Sequence, residues 1–185
     1  MIDVNQLRKG TTYIEEGNLY KVMNYHHHKP GRGAATIRVT IRNLRTGSTV
    51  EKTYNSGGRV QDIRVEATVV EYLYEDGEFL VFMDNETYEQ PQLRRDIFGD
   101  DIVYIKEGIS LKLLSYEAEI IDYELPITGE YLITESEMAI AGDTANSPTK
   151  KVTTETGLVV TVPMFVKEGD TIRVKTEDGT YITRV

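Results

Sequence analysis

The sequence contains no cysteine and no tryptophan, and it has no apolar run near the ~18 residues that a membrane-spanning helix requires. The absence of cysteine excludes disulfides, thiolate zinc sites and thiol nucleophiles. The first residues, Met1-Ile2-Asp3-Val4, have neither the basic nor the apolar segment of a secretion signal. We therefore expect a cytoplasmic protein with no membrane partner.

Charge is distributed unevenly along the 185 residues, whose formal net charge is −9. Residues 1–65 hold 11 Lys/Arg against 5 Asp/Glu, residues 66–127 hold 4 against 16, and residues 128–185 hold 6 against 9. A basic first third is suited to phosphate groups, whereas an acidic middle third must be kept away from them. An uneven but ordinary solvated surface would give the same counts.

Short runs with an apolar period of two, separated by Gly, Pro, Asn or Asp, predict strands along the whole chain. The predicted strands are 12–14, 19–25, 35–44, 49–54, 67–74, 78–83, 87–90, 110–116, 119–123, 130–135, 156–162, 171–175 and 180–185. A short helical turn is predicted within 93–98 and a polar loop at 141–151. The fold class is all-β, in three small modules of about 60 residues, with predicted boundaries at 1–65, 66–127 and 128–185.

The sequence offers little support for catalysis. Its three histidines, His26, His27 and His28, are consecutive, so that in a strand only His26 and His28 share a face. Two histidines without a carboxylate at useful spacing make a weak metal site, and the paired carboxylates lie beside glycines in predicted turns. No Walker or dinucleotide pattern is present. We predict neither an enzyme nor a metal or cofactor.

The segment Lys29-Pro30-Gly31-Arg32-Gly33 predicts the tip of a β-hairpin. Pro30 restricts one φ angle, while Gly31 and Gly33 allow backbone angles that other residues avoid. Arg32 is the side chain left at the apex, where it has nothing beside it to pack on. It is either a cation presented to a partner or part of an ordinary solvated turn.

Two further sets of residues are candidates for contacts with RNA. Arg38 and Arg42 lie on the polar face of the strand that follows the tip, and with Lys29, Arg32 and Arg45 they form a basic stripe suited to a phosphate backbone. The stripe could equally serve only to keep the sheet face soluble. In the last strand, alternation places Tyr181 and Thr183 on one face and Ile182 and Arg184 on the other. Tyr181 could stack on a base or close a barrel.

These residues resemble bacterial elongation factor P along the whole chain. The resemblance lies in the tip segment, in Arg42-Asn43-Leu44-Arg45-Thr46-Gly47, in Phe82-Met83-Asp84-Asn85-Glu86-Thr87-Tyr88-Glu89-Gln90, in Gly142-Asp143-Thr144, in the run from Glu155 to Val166, and in Gly179-Thr180-Tyr181-Ile182-Thr183-Arg184.

The resemblance implies an L-shaped protein with a KOW/SH3-like N-terminal barrel followed by two OB-fold barrels. It implies a monomer that binds the 70S ribosome between the P and E sites, contacts the P-site peptidyl-tRNA and relieves stalling at consecutive prolines. It assigns Arg32 to the CCA end of the tRNA, with Lys29, Pro30, Gly31 and Gly33 as the loop scaffold. It also assigns Gly142, Asp143 and Thr144 to the small subunit, and Tyr181 and Arg184 to the tRNA.

The tip departs from the commonest pattern of the family, in which a lysine is extended by β-lysylation or a related group. Another branch carries arginine and adds rhamnose, but usually has Ser where Pro30 stands here and Asn where Gly33 stands. We expect Arg32 to act unmodified, with a modifying enzyme that acts on it as the other possibility. A paralogue with a different target, or a general OB-type nucleic-acid-binding protein, is the alternative function.

Overall fold

The computed structural model describes residues 1–28, 36–137 and 149–185. Within these ranges the chain is built almost wholly of β-strands, with three short 3-10 helices at Val4–Gln6, Arg95–Ile97 and Gly99–Tyr104. No helix there is long and apolar enough to cross a membrane. The strands are β1 (Ile2–Asp3), β2 (Thr12–Glu15), β3 (Asn18–His28), β4 (Thr36–Asn43), β5 (Thr49–Asn55), β6 (Arg59–Asp62), β7 (Glu66–Asp76), β8 (Phe79–Asp84), β9 (Gln92–Arg94), β10 (Ser110–Tyr116), β11 (Glu119–Glu124), β12 (Thr128–Ser136), β13 (Thr149–Thr154), β14 (Val159–Pro163), β15 (Thr171–Lys175) and β16 (Tyr181–Arg184).

The strands form three barrel-like sheets that follow one another along the chain. Their strand orders are β1-β6-β2-β3-β4-β5, β11-β10-β7-β8-β9 and β14-β13-β12-β15-β16. The chain divides into two compact units, one of residues 1–68 with 113–122 and the other of residues 69–112 with 123–185. The predicted all-β fold is confirmed.

The first unit has two apolar clusters, which arise from the period-two pattern of its strands. In β4, Ile37, Val39 and Ile41 are buried, while the residues between them face outward. These side chains pack with Val4, Leu7 and Tyr13. A second cluster joins Leu19, Leu44 and Ile121, and it therefore holds the hairpin of β10 and β11 within the unit.

The second unit contains a stack of aromatic rings and a C-terminal barrel core. Phe98 stacks on Tyr123, with ring centroids 4.2 Å apart, and lies 6.1 Å from Phe82. In the C-terminal barrel the Tyr131 side chain fills the space beside Gly129, so that a Cβ at position 129 would overlap with the Tyr131 hydroxyl group. That hydroxyl donates to the carbonyl of Tyr104 at 2.9 Å. The core of this barrel therefore includes the 3-10 helix Gly99–Tyr104.

Several predicted elements agree with the structure. Strands 110–116 and 171–175 have the predicted bounds, and the helical turn within 93–98 is the 3-10 helix Arg95–Ile97. The strand predicted at 87–90 is wrong, because the Asp84 carboxylate accepts hydrogen bonds from the amides of Glu86 and Thr87 and closes a turn. The same two bonds lower the pKa of Asp84.

Two further predictions are corrected in the last third of the chain. The strand predicted at 156–162 begins only at Val159, because the Gly157 amide donates to the carbonyl of Thr154 in a turn where Gly157 has a φ of 83°. The polar loop predicted at 141–151 is wrong at its end, since residues 149–151 belong to β13. The rest of that loop lies outside the described residues. Strands β1, β6, β9 and β13 were not predicted.

Candidate RNA-binding surface

The hairpin of β3 and β4 is the stem that leads to the predicted tip. Its antiparallel pairing runs from Tyr20 opposite Asn43 to His28 opposite Thr36. The register shifts between Val22 and Asn24, so that Met23 is the extra residue of a β-bulge. The predicted tip residues Lys29, Pro30, Gly31, Arg32 and Gly33 lie outside the described residues, as do Gly142, Asp143 and Thr144.

Arg38 and Arg42 share the outward face of β4, as predicted. The strand alternates between buried apolar residues and these outward positions. Arg38 is mostly exposed, and its guanidinium Nε lies 3.2 Å from a carboxylate oxygen of Glu51 on β5. This pair is well solvated, so it holds the two side chains together only weakly and Arg38 can exchange Glu51 for another anion.

His26 and His27 point to opposite faces of the stem. His26 is opposite Arg38 and therefore joins the outward face, whereas His27 is opposite the buried Ile37. Both histidines are exposed. Across the described ranges, no group of three His, Cys, Asp or Glu side chains is arranged to hold a metal ion.

Two cations at the base of the stem, Arg45 of the predicted stripe and Lys21, form ion pairs within the first unit. Arg45 donates to both carboxylate oxygens of Glu119, at 3.4 and 3.0 Å, and this hydrogen bonding raises the pKa of Arg45. Lys21 forms an ion pair with Asp122, whose side chain is only 6% exposed. Arg45 therefore contributes to the packing of the first unit. On the outward face of β4, Arg38 lies in the upper part of the stem, whereas Arg42 lies opposite Lys21 at its base.

A polar network supports the barrel beneath the stem. The hydroxyl groups of Tyr13 and Tyr54 are 2.8 Å apart, and Tyr54 donates to Glu15 at 2.7 Å. Lys52 donates to the same carboxylate oxygen at 2.5 Å. Burial raises the pKa of Tyr13 to about 12 and also raises that of Tyr54. The phenols therefore stay neutral and act as hydrogen-bonding groups of the scaffold.

The C-terminal candidates lie differently from the prediction. In the pairing of β16 with β15, Tyr181 is opposite Val174, Thr183 is opposite Arg173 and Arg184 is opposite Ile172, with a shift of register between Arg173 and Val174. Because paired residues share a face, Tyr181 and Arg184 are on one face and Thr183 is on the other. The predicted strict alternation is wrong, since it takes no account of the bulge.

The surroundings of these two residues differ. Tyr181 is half-buried and packs against the core of the C-terminal barrel. Arg184 remains about half exposed, with its guanidinium 5.6 Å from the centroid of the Phe165 ring and 3.4 Å from a carboxylate oxygen of Asp170. The amide of Lys167 lowers the pKa of Asp170, and Arg184 lowers it further. Phe165 and Asp170 thus hold Arg184 in place while its guanidinium stays accessible to solvent. Tyr181, in contrast, contributes to the packing that closes the barrel.

The acidic partners Glu51, Glu119 and Asp122 were not predicted. Glu51 could have been found, because the short turn between β4 and β5 brings it diagonally opposite Arg38 in a hairpin. Glu119 and Asp122 lie far from their partners in sequence, and no local pattern indicates those contacts.

Comparison with protein families identifies all three modules. Residues 3–60 match the elongation factor P KOW-like domain, residues 65–123 match the elongation factor P OB domain, and residues 130–184 match the elongation factor P C-terminal domain.

Two of the solved structures to which this chain is similar are translation initiation factors. Eukaryotic translation initiation factor 5A from Methanococcus jannaschii is 20% identical, with a TM-score of 0.50 over 68% of this chain and 90% of that protein. A translation initiation factor eIF-5A family protein from Naegleria fowleri is 15% identical, with a TM-score of 0.41 over 67% of this chain and 96% of that one. At such identity, the first similarity supports the fold of the barrels it covers. The three consecutive domain matches identify the chain itself as a translation elongation factor of the elongation factor P family.

Proposed function

We propose that this chain binds the 70S ribosome between the P and E sites and stimulates peptide bond formation where synthesis stalls at consecutive prolines. The observation that carries the proposal is the stem of β3 and β4, which pairs as far as His28 and Thr36 with an outward face that bears Arg38 and Arg42. A paired stem of this length lets a barrel reach a distant RNA site, while its cations favour contacts with phosphate.

In this proposal the side chain of Arg32 contacts the CCA end of the P-site peptidyl-tRNA. Lys29, Pro30, Gly31 and Gly33 form the scaffold of its loop. A guanidinium can donate two parallel hydrogen bonds to phosphate or ribose oxygens, which lysine does less specifically. The factor makes and breaks no bond itself. It lowers the entropic cost of bringing the two substrates of the ribosome into reacting geometry.

The other proposed contacts follow the three modules, taken as residues 1–65, 66–127 and 128–185. Arg38 and Arg42 approach the tRNA backbone, and Gly142, Asp143 and Thr144 approach the small subunit. Arg184 contacts the tRNA as an accessible cation, with Tyr181 beside it. The acidic middle module faces away from most phosphate. The factor acts as a monomer in the cytoplasm and needs no cofactor.

The central test replaces the tip cation. Arg32→Ala is expected to lose stimulation at proline runs while keeping the fold and most of its affinity for ribosomes. Arg59→Ala is the matched control, because it removes an exposed cation of the same barrel from β6. Rates of peptide bond formation on messages with and without consecutive prolines measure the effect. Normal stimulation by Arg32→Ala would contradict the role of the tip.

Ribosome profiling with and without the gene tests the function itself. Pauses that appear only at proline runs support the proposal. No change at such runs contradicts it and favours a paralogue with another target or a general nucleic-acid-binding protein. The intact mass of the native protein tests the state of Arg32, since a mass equal to the sequence mass excludes a stable modification and an added deoxyhexose contradicts the unmodified form.

A further inference from the structure

The β-bulge at Met23 divides the stem into a lower and an upper part. Below it, Val22 is fully buried and opposite Ile41. Above it, Asn24 is opposite Thr40 and the ladder continues to His28. A bulge bends its strand and increases the local twist. The direction of the upper stem, and of whatever lies beyond it, therefore depends on how the chain is held at this point.

One segment, Arg8–Thr11, contacts the stem on both sides of the bulge. Below the bulge, the Gly10 amide donates to the carbonyl of Val22 at 2.8 Å, and the Val22 amide donates to the carbonyl of Thr11 at 2.9 Å. Above the bulge, the guanidinium carbon of Arg8 lies 5.0 Å from the centroid of the Tyr25 ring. The segment thus lies alongside the bulge and touches both parts.

The Arg8 side chain is fixed in place independently of Tyr25. Its Nη1 donates to the carbonyls of Leu7 at 2.6 Å and Asn5 at 2.9 Å, and its own amide donates to the Thr11 hydroxyl at 3.1 Å. Leu7 is fully buried and anchors the segment in the core. Because the guanidinium is already held by these bonds, it presents a stable planar surface to the aromatic ring.

Tyr25 is fixed as well, and it is the last aromatic residue of β3 before the tip. Its ring is half-buried against the core of the first barrel, and in the ladder it is opposite the fully buried Val39. Its backbone amide also donates a hydrogen bond to the side-chain oxygen of Asn24, at 2.8 Å. The cation–π contact with Arg8 therefore joins two ordered groups across the bulge.

We infer that Arg8 and Tyr25 act as a brace across the Met23 bulge, which fixes the direction of the upper stem and so the approach of Arg32 to the peptidyl-tRNA. The inference rests on the proposed function for its last step. Arg8 and Tyr25 are positioning residues here, since they act through the stem and need not touch RNA. This role differs from that of a phosphate-binding arginine, which would contribute to affinity through its charge.

The first measurement is amide hydrogen exchange in the free protein. Arg8→Gln and Tyr25→Leu should each accelerate exchange of the upper-stem amides, such as those of His27 and Arg38, by about two- to five-fold, the range expected for one exposed cation–π contact. The double variant should exchange little faster than either single variant. Tyr25→Phe, which keeps the ring, should match the original protein, and Arg59→Gln is the charge-matched control.

The second measurement separates positioning from affinity. In peptide bond formation at a proline run, Arg8→Gln and Tyr25→Leu should lower the maximal rate at saturating factor by a similar two- to five-fold. The half-maximal concentration, that is, the concentration of factor that gives half of this maximal rate, should not change. A phosphate contact by Arg8 would instead raise the half-maximal concentration for Arg8→Gln alone and make its dependence on salt shallower, and this result would overturn the brace.

The two measurements keep this inference distinct from the proposed function. Unchanged exchange in both variants overturns the brace, even if the original protein stimulates synthesis at prolines. If the original protein gives no stimulation there, the proposed function fails, and the exchange experiment still decides whether Arg8 and Tyr25 fix the stem. Equal effects of Tyr25→Phe and Tyr25→Leu would also contradict the brace, because the ring would then be irrelevant.

Discussion

Lys21 and Asp122 are 101 positions apart in the sequence and form an ion pair inside the first compact unit. The Asp122 side chain is 6% exposed and that of Lys21 is 26% exposed. The pair lies beside the apolar cluster of Leu19, Leu44 and Ile121. The hairpin of β10 and β11 is thus held to the first barrel by both apolar packing and a largely buried charge pair.

Loss of the cation from this pair should be costly. Lys21→Met leaves the Asp122 carboxylate buried without its partner, and we expect the free energy of unfolding to fall by about 3 kcal/mol. Chemical denaturation of the purified variant measures the change. The double variant Lys21→Met with Asp122→Leu should recover much of the loss, because it removes the unpaired charge.

The control for this prediction is the pair of Arg45 and Glu119 in the same unit. Both side chains are about half exposed, at 49% and 50%. Arg45→Gln should therefore change stability much less than Lys21→Met, since water replaces the lost partner. Equal losses from the two variants would contradict the assignment of the larger role to the buried pair.

The turn between β10 and β11 can be improved. Glu117 and Ala118 both have positive φ angles, of 50° and 66°, in a two-residue hairpin that normally prefers Asn-Gly. Ala118 is exposed, so Ala118→Gly should relieve backbone strain without loss of packing. We expect a gain of about 1 kcal/mol in the free energy of unfolding, measured by the denaturant midpoint at constant slope.

The reverse change at another turn provides the matched control. Gly77, between β7 and β8, has a φ of 60° and open space around the position of a Cβ. Gly77→Ala should lower stability by about 1 kcal/mol, through backbone strain alone. A loss of stability in Ala118→Gly would show that chain entropy, and not strain, dominates at the β10–β11 turn.

Stability should decline at alkaline pH because buried phenols resist ionisation. Burial raises the pKa of Tyr13 from 10.0 to about 12. Between pH 10 and 12 the unfolded chain loses this proton while the folded chain keeps it, so the unfolded state binds fewer protons and stability falls as pH rises. Circular dichroism and phenolate absorbance, followed together, should show buried tyrosines ionising as the fold is lost.

Tyr13→Phe tests the source of this pH dependence. The variant removes one titrating group and should fall less steeply in stability between pH 10 and 12 than the original protein. Its stability at neutral pH should be lower, because the hydrogen bond between Tyr13 and Tyr54 is lost. Full ionisation of Tyr13 in the intact fold near pH 10 would contradict the prediction.

The sequence predicts the strands whose pattern is local. In β4 and β15, alternation of apolar and polar residues is sufficient, and the structure has these strands where they were expected. In β6, Val60 is the only buried residue, and the strand exists because β1 and β2 pair with it. In β13, Lys150 and Lys151 give the appearance of a loop, although pairing with β12 and β14 makes the segment a strand.

In the candidate site, too, the sequence predicts only the features that follow from a local pattern. The common face of Arg38 and Arg42 follows from a period of two, so the sequence predicts it. The bulges at Met23 and in β16 each add one residue to their strand, and no residue type in those strands predicts a bulge there. Each bulge reverses the expected facing of everything beyond it. The charge partners of Lys21 and Arg45 are long-range contacts that depend on the packing of separate hairpins.

The contact between Gly129 and the ring of Tyr131 has a consequence for how this barrel can vary. A methyl group at position 129 would occupy space that the Tyr131 side chain now fills, and the fully buried ring can move aside only at the expense of its packing. A larger residue at position 129 is therefore compatible only with a smaller one at position 131. Positions 129 and 131 should therefore vary together among relatives, and a chimaera within β12 must take both residues from the same relative.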